Sequence, residues 1–359
     1  MSLSSSSSKL ADNSVVCLMA PTASGKTALA YELYDAKRFE LISVDSALIY
    51  RDMTIGTAKP SFEELARYPH HLVDIIDPTQ TYSVARFVRD VAQLIDNCHQ
   101  SGKIPLLVGG TMMYYMALLE GLSDIPDSSD KTRAQVDAWR QDAGIEALYN
   151  YLGKIDPISY QRLKSNDTQR ITRAIEVFEQ TNTSLSDWQR KPKLALAHNT
   201  HQQWHALSVI PDRAWLHERI AQRLDIMWTS GLVDEVISLL EHYTLTPDMP
   251  SMRCVGYRQV LEYLVHIRHP VLERPHLDLE LFYKAFAIHT DTNSIQQALA
   301  YKQMQDKSLY ATRQLAKRQY TWLRKISQLS HHHALDKPDD SIRGQTFTTT
   351  AQARDYLLS

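Results

Sequence analysis

The stretch APTASGKT, residues 20–27, carries the first chemistry in the chain. It follows the apolar run VVCLMA (15–20) and leads into the helix-like ALAYEL. Apolar strand, small-residue loop, Gly-Lys-Thr and helix, in that order, describe a phosphate-binding loop. Backbone N–H groups of such a loop and of the helix that follows converge on an anion. Ala20, Pro21, Thr22, Ala23, Ser24, Gly25, Lys26 and Thr27 are therefore the candidate site for a di- or triphosphate. Lys26 adds a point charge, and the Thr27 hydroxyl is a candidate Mg2+ ligand. Gly25 lets the backbone approach a phosphate without a clash. The strict pattern begins with glycine, and Ala20 stands in that place. The loop demands a polyphosphate without saying of what.

A loop that hydrolyses a nucleotide needs a second acid at the end of another strand, to hold Mg2+ and polarise water. LISVD (41–45) ends in Asp45, whereas IPLLVGG (104–110) ends in two glycines. Asp45 is the best-placed carboxylate at the strand ends, where open α/β sheets build their sites. Three roles are open to it: magnesium ligand, general base, or the cap of a turn. One reading of these residues is a P-loop kinase acting on nucleotides or nucleosides, or an NTPase.

The elements that must position these groups are legible as well. VVCLMA, LISVD, IPLLVGG and HALSVIP (205–211) read as buried parallel strands. Helical segments run from Thr27 to Asp35 and from Val84 to Gln100. Alternation of this kind predicts an α/β fold, a P-loop-type parallel sheet with helices on both faces. Over 127–205 the strand signals vanish. Asp156-Pro157 and Asp167 read as helix starts, so an all-helical insertion is expected there. The core is expected to comprise 15–126 and 206–329. The serine-rich residues 1–14 lack an apolar stretch and read as a disordered leader. Residues 330–359, with HHH at 331–333, read as a loosely ordered tail.

The net charge of −2 excludes a whole-molecule attraction to nucleic acid, so any such binding needs local basic patches. Cys17, Cys98 and Cys254 are too scattered for a zinc site or a disulfide frame, which points to a reducing compartment. No apolar run reaches the length of a membrane span. A cytoplasmic protein with no membrane partner is expected.

Six longer motifs occur in order: LISVDSALIYRDMTIGTAKP (41–60), HHLVDIIDP (70–78), YSVARF (82–87), LLVGGTMMYYMALLEGL (106–122), RCVGYRQ (253–259) and TRQLAKRQYTWLR (312–324). Together they closely resemble the bacterial tRNA dimethylallyltransferases, or tRNA isopentenyltransferases, from about Val15 to Leu323. The resemblance implies transfer of a dimethylallyl group from dimethylallyl diphosphate to an adenosine of tRNA. The acceptor is the exocyclic amine of the base just 3′ of the anticodon, in tRNAs reading codons that begin with U. It implies Mg2+ as cofactor, the phosphate loop as holder of the donor diphosphate, and a monomer whose helical insertion grips the anticodon stem-loop.

The reaction calls for particular residues. An adenine amine is a poor nucleophile, and a base that accepts its proton helps it. The resemblance assigns that role to Asp45. Departing pyrophosphate needs cations and N–H donors. The segment RLDIM (223–227) matches the family's Arg-Phe-x-x-Met and points to Arg223, with Leu224 in place of phenylalanine. Thr111 matches a residue lining a channel into which the flipped-out base enters. The glycines before Thr111 either let the backbone approach substrate or simply end a strand.

Carried over residue by residue, the tRNA contacts are Asp45, Ser46, Ala47, Leu48 and Thr111. In the insertion they are Arg133, Gln169, Arg170, Ile171, Thr172 and Arg173. Further on come Arg253, Cys254, Val255, Gly256, Tyr257 and Arg258. The last group is Lys317, Arg318, Gln319, Tyr320, Thr321, Trp322, Leu323 and Arg324. ATRQLAKRQYTWLRKI has five basic residues and no acid. On a helix Arg313, Lys317 and Arg324 share one stripe, with Leu315, Trp322 and Ile326 nearly opposite. A solvated charged face is the ordinary alternative. His70 and His71 have no acid or cysteine at metal spacing and read as structural or pocket-wall residues. One departure stands out: 52 residues separate RCVGYRQ from TRQLAKRQ, where the family needs far fewer. The extra segment, about 266–305, has three open roles: extending the core, contacting RNA or mediating association.

Overall fold

Apolar runs of six residues need cover on both faces, and in the computed structural model, which describes residues 10–286, 294–336 and 342–359, they receive it. The strands are β1 Ser14–Met19, β2 Phe39–Val44, β3 His70–His71, β4 Ile104–Gly109, β5 Gln203–Val209 and β6 Ile342–Phe347. They form one sheet in the order β3-β2-β4-β1-β5-β6, every neighbouring pair parallel. All residues of β1 and β4 are buried. The helix Val84–Gln100 has the predicted bounds, and Lys26–Asp35 starts one residue earlier than read. The α/β class therefore stands.

Register matters for the site. The loop follows β1 and Asp45 follows β2, and with β4 between them these two strand ends lie two strand spacings, about 10 Å, apart. The end of β4 must stay bare between them. A Cβ on Gly109 would fall 2.0 Å from the Val44 carbonyl oxygen, and one on Gly110 2.5 Å from Nε2 of Gln319. The two glycines thus make room for protein atoms, not for substrate.

Several expectations need correction. Residues 10–14 are not a loose leader: Leu10 is buried, its carbonyl accepts from Arg38 at 3.2 Å, and β1 begins at Ser14. Residues 1–9 lie outside the described residues. β5 starts two residues earlier than read, because Gln203 and the buried Trp204 already pair with β1. Residues 337–341 of the expected tail lie outside the described residues, and residues 342–359 are not loosely ordered. β6 pairs with β5 from Trp204↔Ile342 to Val209↔Phe347, and a helix Thr350–Leu358 packs Ala353 and Leu357 into the core. Its Arg354 reaches Glu32 at 3.5 Å. In IRGQTF only Ile342 is buried, since an edge strand covers one flank and leaves polar residues outside. That composition concealed it. The helix before it runs to Asp336, through the HHH backbone.

Residues 118–195 form one compact unit and the rest of the chain another. The helical unit is thus displaced about ten residues N-terminal to its predicted bounds. It is built from Asp130–Ile155, which breaks at Gly144 (φ 78°), Pro157–Arg162, Thr168–Thr181 and Leu185–Arg190. Asp156 and Asp167 cap their helices, accepting from Ser159 N at 2.9 Å and Arg170 N at 3.4 Å. Val136, Leu148, Leu152, Ile171 and Ile175 make its core.

The extra segment after Tyr257–His266 extends the larger unit's core. Val271, Leu272, Phe282 and Met304 join Leu232, Val260 and Leu264 in one buried cluster. Residues 287–293 of that segment lie outside the described residues.

Candidate active site

The phosphate loop leaves β1 at Met19. Ala20 is fully buried in the cluster that also holds Val16 and Leu18, so its methyl is part of the core. Ala23 takes φ 61° and Gly25 φ 89°, the left-handed turns that wrap a loop around an anion. The hydroxyl of Ser24 is buried with no partner among the described residues, an orphan polar group of the kind a bound oxyanion satisfies. Lys26 opens the helix Lys26–Asp35 and is half-buried. Burial, then the charge of Arg223, pulls its ammonium down to about 8, and the Asp45 carboxylate opposes that shift.

Two arginines of the helix Arg213–Thr229 face the loop. NH1 of Arg223 donates to Oγ1 of Thr22 at 3.2 Å, and Nε of Arg219 donates to the Ala23 carbonyl at 2.8 Å. The two residues are four apart, on one face of the helix. Burial lowers the pKa of Arg223, Arg219 adds to that, and Asp45 counteracts it. Asp45 is thus within electrostatic reach of both Lys26 and Arg223. Arg219 was missed at the sequence level, although its i, i+4 spacing from Arg223 was the available signal.

Asp45 caps a turn with one oxygen. Its Oδ1 accepts from Ala47 N at 2.9 Å and Leu48 N at 3.4 Å. Thr111 pins the same turn from β4, where its Oγ1 accepts from Ser46 N at 3.0 Å. The chain from Thr54 to Gly56 is latched by Glu235, whose carboxylate accepts three backbone N–H groups at 3.0, 2.6 and 3.1 Å. The Tyr257 hydroxyl donates to the same carboxylate at 2.5 Å. A Cβ on Gly56 would meet the Tyr257 ring at 2.5 Å, which explains the glycine in TIGTAKP.

The residues carried over as tRNA contacts divide by exposure. Lys317, Arg318, Thr321, Trp322 and Arg324 are exposed on the helix Ser294–Asp336. Gln319, Tyr320 and Leu323 are buried, so they are not surface contacts in this structure. Trp322, read as part of the apolar face, is 38% exposed with Lys325 over its ring, whereas Ala316, Tyr320, Leu323 and Ile326 make the packed stripe. Arg313 is half-buried with a buried Nε, so it does not belong to the outward basic face. Tyr257 and Gly256 are buried too, and Cys254 and Val255 are half-buried. Arg258 donates to the Pro247 carbonyl at 2.8 Å and lies 4.3 Å from the Phe286 ring of the extra segment, while Arg253 is exposed.

In the helical unit Arg133, Gln169 and Arg170 are exposed, Ile171 is in the core, and Thr172 bonds its own helix. Arg173 ties down the Pro126 carbonyl and the Ser128 hydroxyl. His70 and His71 meet the Tyr68 carbonyl (2.6 Å) and Glu40 (3.3 Å), a structural role. Among the described residues no cluster of three or more His, Cys, Asp or Glu could hold a metal, and no helix is long and apolar enough to cross a membrane.

A family described as IPP transferase matches residues 48–326. The chain belongs to the IPP transferase family. It is 67% identical to a tRNA dimethylallyltransferase of Psychrobacter cryohalolentis over 98% of this chain and 95% of that one. The crystal structure of full-length tRNA isopentenylpyrophosphate transferase from Bacillus halodurans superposes with a TM-score of 0.57 at 26% identity, covering 96% and 95% of the two chains. A eukaryotic dimethylallyltransferase acting on tRNA shares the fold with a TM-score of 0.67 at 23% identity, covering 96% of this chain and 76% of its own. For an IPP transferase the geometry above is economical: cations and orphan donors gather at one strand end, and a carboxylate stands two strands away.

Proposed function

We propose that the protein transfers the dimethylallyl group of dimethylallyl diphosphate to the exocyclic amine of the adenosine immediately 3′ of the anticodon, in tRNAs reading codons that begin with U. The observation that carries this reading is the spacing of the site. The phosphate loop with Lys26 and Arg223 follows β1, and Asp45 follows β2, with β4 between the two strands and the Asp45 charge acting on both Lys26 and Arg223. An enzyme that splits a nucleotide at the loop wants its acid beside the phosphate. An enzyme that joins two substrates wants its base a substrate's length away.

The steps follow from the residues. The orphan hydroxyl of Ser24, the loop amides, Lys26 and Arg223 bind the diphosphate and stabilise the charge that grows on it as the carbon–oxygen bond breaks. Asp45 spends Oδ1 on its turn, which leaves the other oxygen to accept a proton from the adenine amine as the nitrogen–carbon bond forms. The products are the prenylated adenosine and pyrophosphate, with one proton on Asp45. The residues fit Mg2+: the Thr27 hydroxyl at a helix start would hold it, together with diphosphate oxygens and water, the sparse protein ligation that ion prefers. When bound, Mg2+ neutralises charge on the leaving diphosphate. Exposed Arg133 and Arg170 on the helical unit, and exposed Arg253, Lys317, Arg318 and Arg324 on the larger unit, each give local basic surface for the anticodon stem-loop that the net charge of −2 does not. We place the protein in the cytoplasm as a monomer.

Purified protein should transfer labelled dimethylallyl to an unmodified anticodon stem-loop carrying adenosine after the anticodon. Indifference to that pair, together with ATP hydrolysis or phosphorylation of a nucleoside, would overturn the reading.

A further inference from the structure

Gln319 sits in the stretch TRQLAKRQYTWLR that the resemblance assigns to tRNA, yet it is only 6% exposed and faces inward. Its carboxamide makes two hydrogen bonds. Oε1 accepts from the Thr22 backbone N–H of the phosphate loop at 3.0 Å, and Nε2 donates to the Gly110 carbonyl beyond β4 at 2.8 Å. One partner is a donor and the other an acceptor, so only a group with both functions, in this orientation, satisfies them. Gly110 lacks a side chain at the very point where a Cβ would lie 2.5 Å from that nitrogen.

We propose that Gln319 is a positioning residue for the prenyl-diphosphate site rather than an RNA contact, an inference that rests on the transferase reading. By holding Thr22 N–H against Gly110 O, it fixes the distance between the phosphate loop and the strand end that separates the loop from Asp45. It also orients Thr22, whose hydroxyl accepts from Arg223. Without Gln319 the half-buried loop amide and the buried Gly110 carbonyl lose their partner, and the loop shifts to satisfy them.

Two variants test this. Gln319→Met keeps the length and removes both hydrogen bonds. It should raise KM for dimethylallyl diphosphate about tenfold to a hundredfold, with stem-loop Kd unchanged. Gln319→Glu keeps the acceptor, but places a second anionic oxygen against the Gly110 carbonyl unless it is protonated. Burial raises the pKa of such a carboxyl, and the protonated form can donate to Gly110 O. Its kcat/KM relative to wild type should therefore be low at about pH 8 and recover as pH falls towards about pH 6. A ratio that stays flat with pH would overturn the proposal. So would a Met variant that loses stem-loop affinity while KM for the donor is unchanged. If the Met variant does not fold, the pH reversal of the Glu variant decides. If the wild type transfers no prenyl group, the transferase reading fails separately. Equilibrium binding of inorganic pyrophosphate to wild type and Gln319→Glu across the same pH range then tests the positioning role, and an affinity ratio that does not change with pH overturns it.

Discussion

Asp45 and Lys26 show how two single side chains were legible in kind but not in state. Their types and places were plain from LISVD and ASGKT. That Asp45 already spends an oxygen on Ala47 N was not, because a turn's hydrogen bonds depend on the path of the chain after it. The cap and the base are therefore compatible roles, one oxygen each. Asp45→Asn keeps the cap and removes the basicity. It should slow prenyl transfer by about a hundredfold or more, while stem-loop affinity by filter binding changes little. Equal losses in both would mean that Asp45 serves the turn alone. For Lys26 the sign follows from its lowered pKa of about 8. The ammonium that holds diphosphate is present below that value and lost above it. KM for the prenyl donor should rise as pH passes about 8, and Lys26→Met should abolish that limb while raising KM throughout.

At the scale of elements, β1, β2 and β4 announce themselves because strands buried on both faces are apolar throughout. β6 does not, because it lies at the sheet edge and only Ile342 is buried. Of the two readings open for the glycines at the end of β4, the structure fits the strand end and not an approach to substrate. Val44 and Gln319 fill the space beside them, and no sequence pattern links position 110 to position 319. The extra segment likewise resolves only through packing. Phe282 is fully buried among residues of the helices Leu232–His242 and Tyr257–His266. Phe282→Ala should destabilise the protein by about 3–5 kcal/mol in urea unfolding. A loss below about 1 kcal/mol would mean that the segment is an appendage and not core.

For the whole molecule, a net charge of −2 means that RNA is held by local faces and not by a general field. Lys317, Arg318, Arg324 and Lys325 are exposed on the same helix that buries Gln319, Tyr320 and Leu323. Lys317→Ala should weaken stem-loop binding and lower the slope of log K against log salt by about one, with donor KM unchanged. Trp322→Ala should cost RNA affinity without lowering the unfolding midpoint, since the indole is exposed with Lys325 above it. A drop in midpoint with intact RNA affinity would return Trp322 to the packing role its spacing implied.

The sequence by itself determined the α/β class, the phosphate loop, the carboxylate at the second strand end and the family, because each is written in short contiguous stretches, taken singly or in order along the chain, with their own local physics. Tertiary structure decided which residues of a basic helix face water and which face the loop. It also decided why two glycines must end β4, and that a polar tail completes the sheet. Each of these depends on contacts between residues far apart in the chain, as Thr22 is from Gln319. Such pairings leave no local mark, because the side chain that satisfies a buried N–H is chosen by the packing of two elements and not by the composition of either.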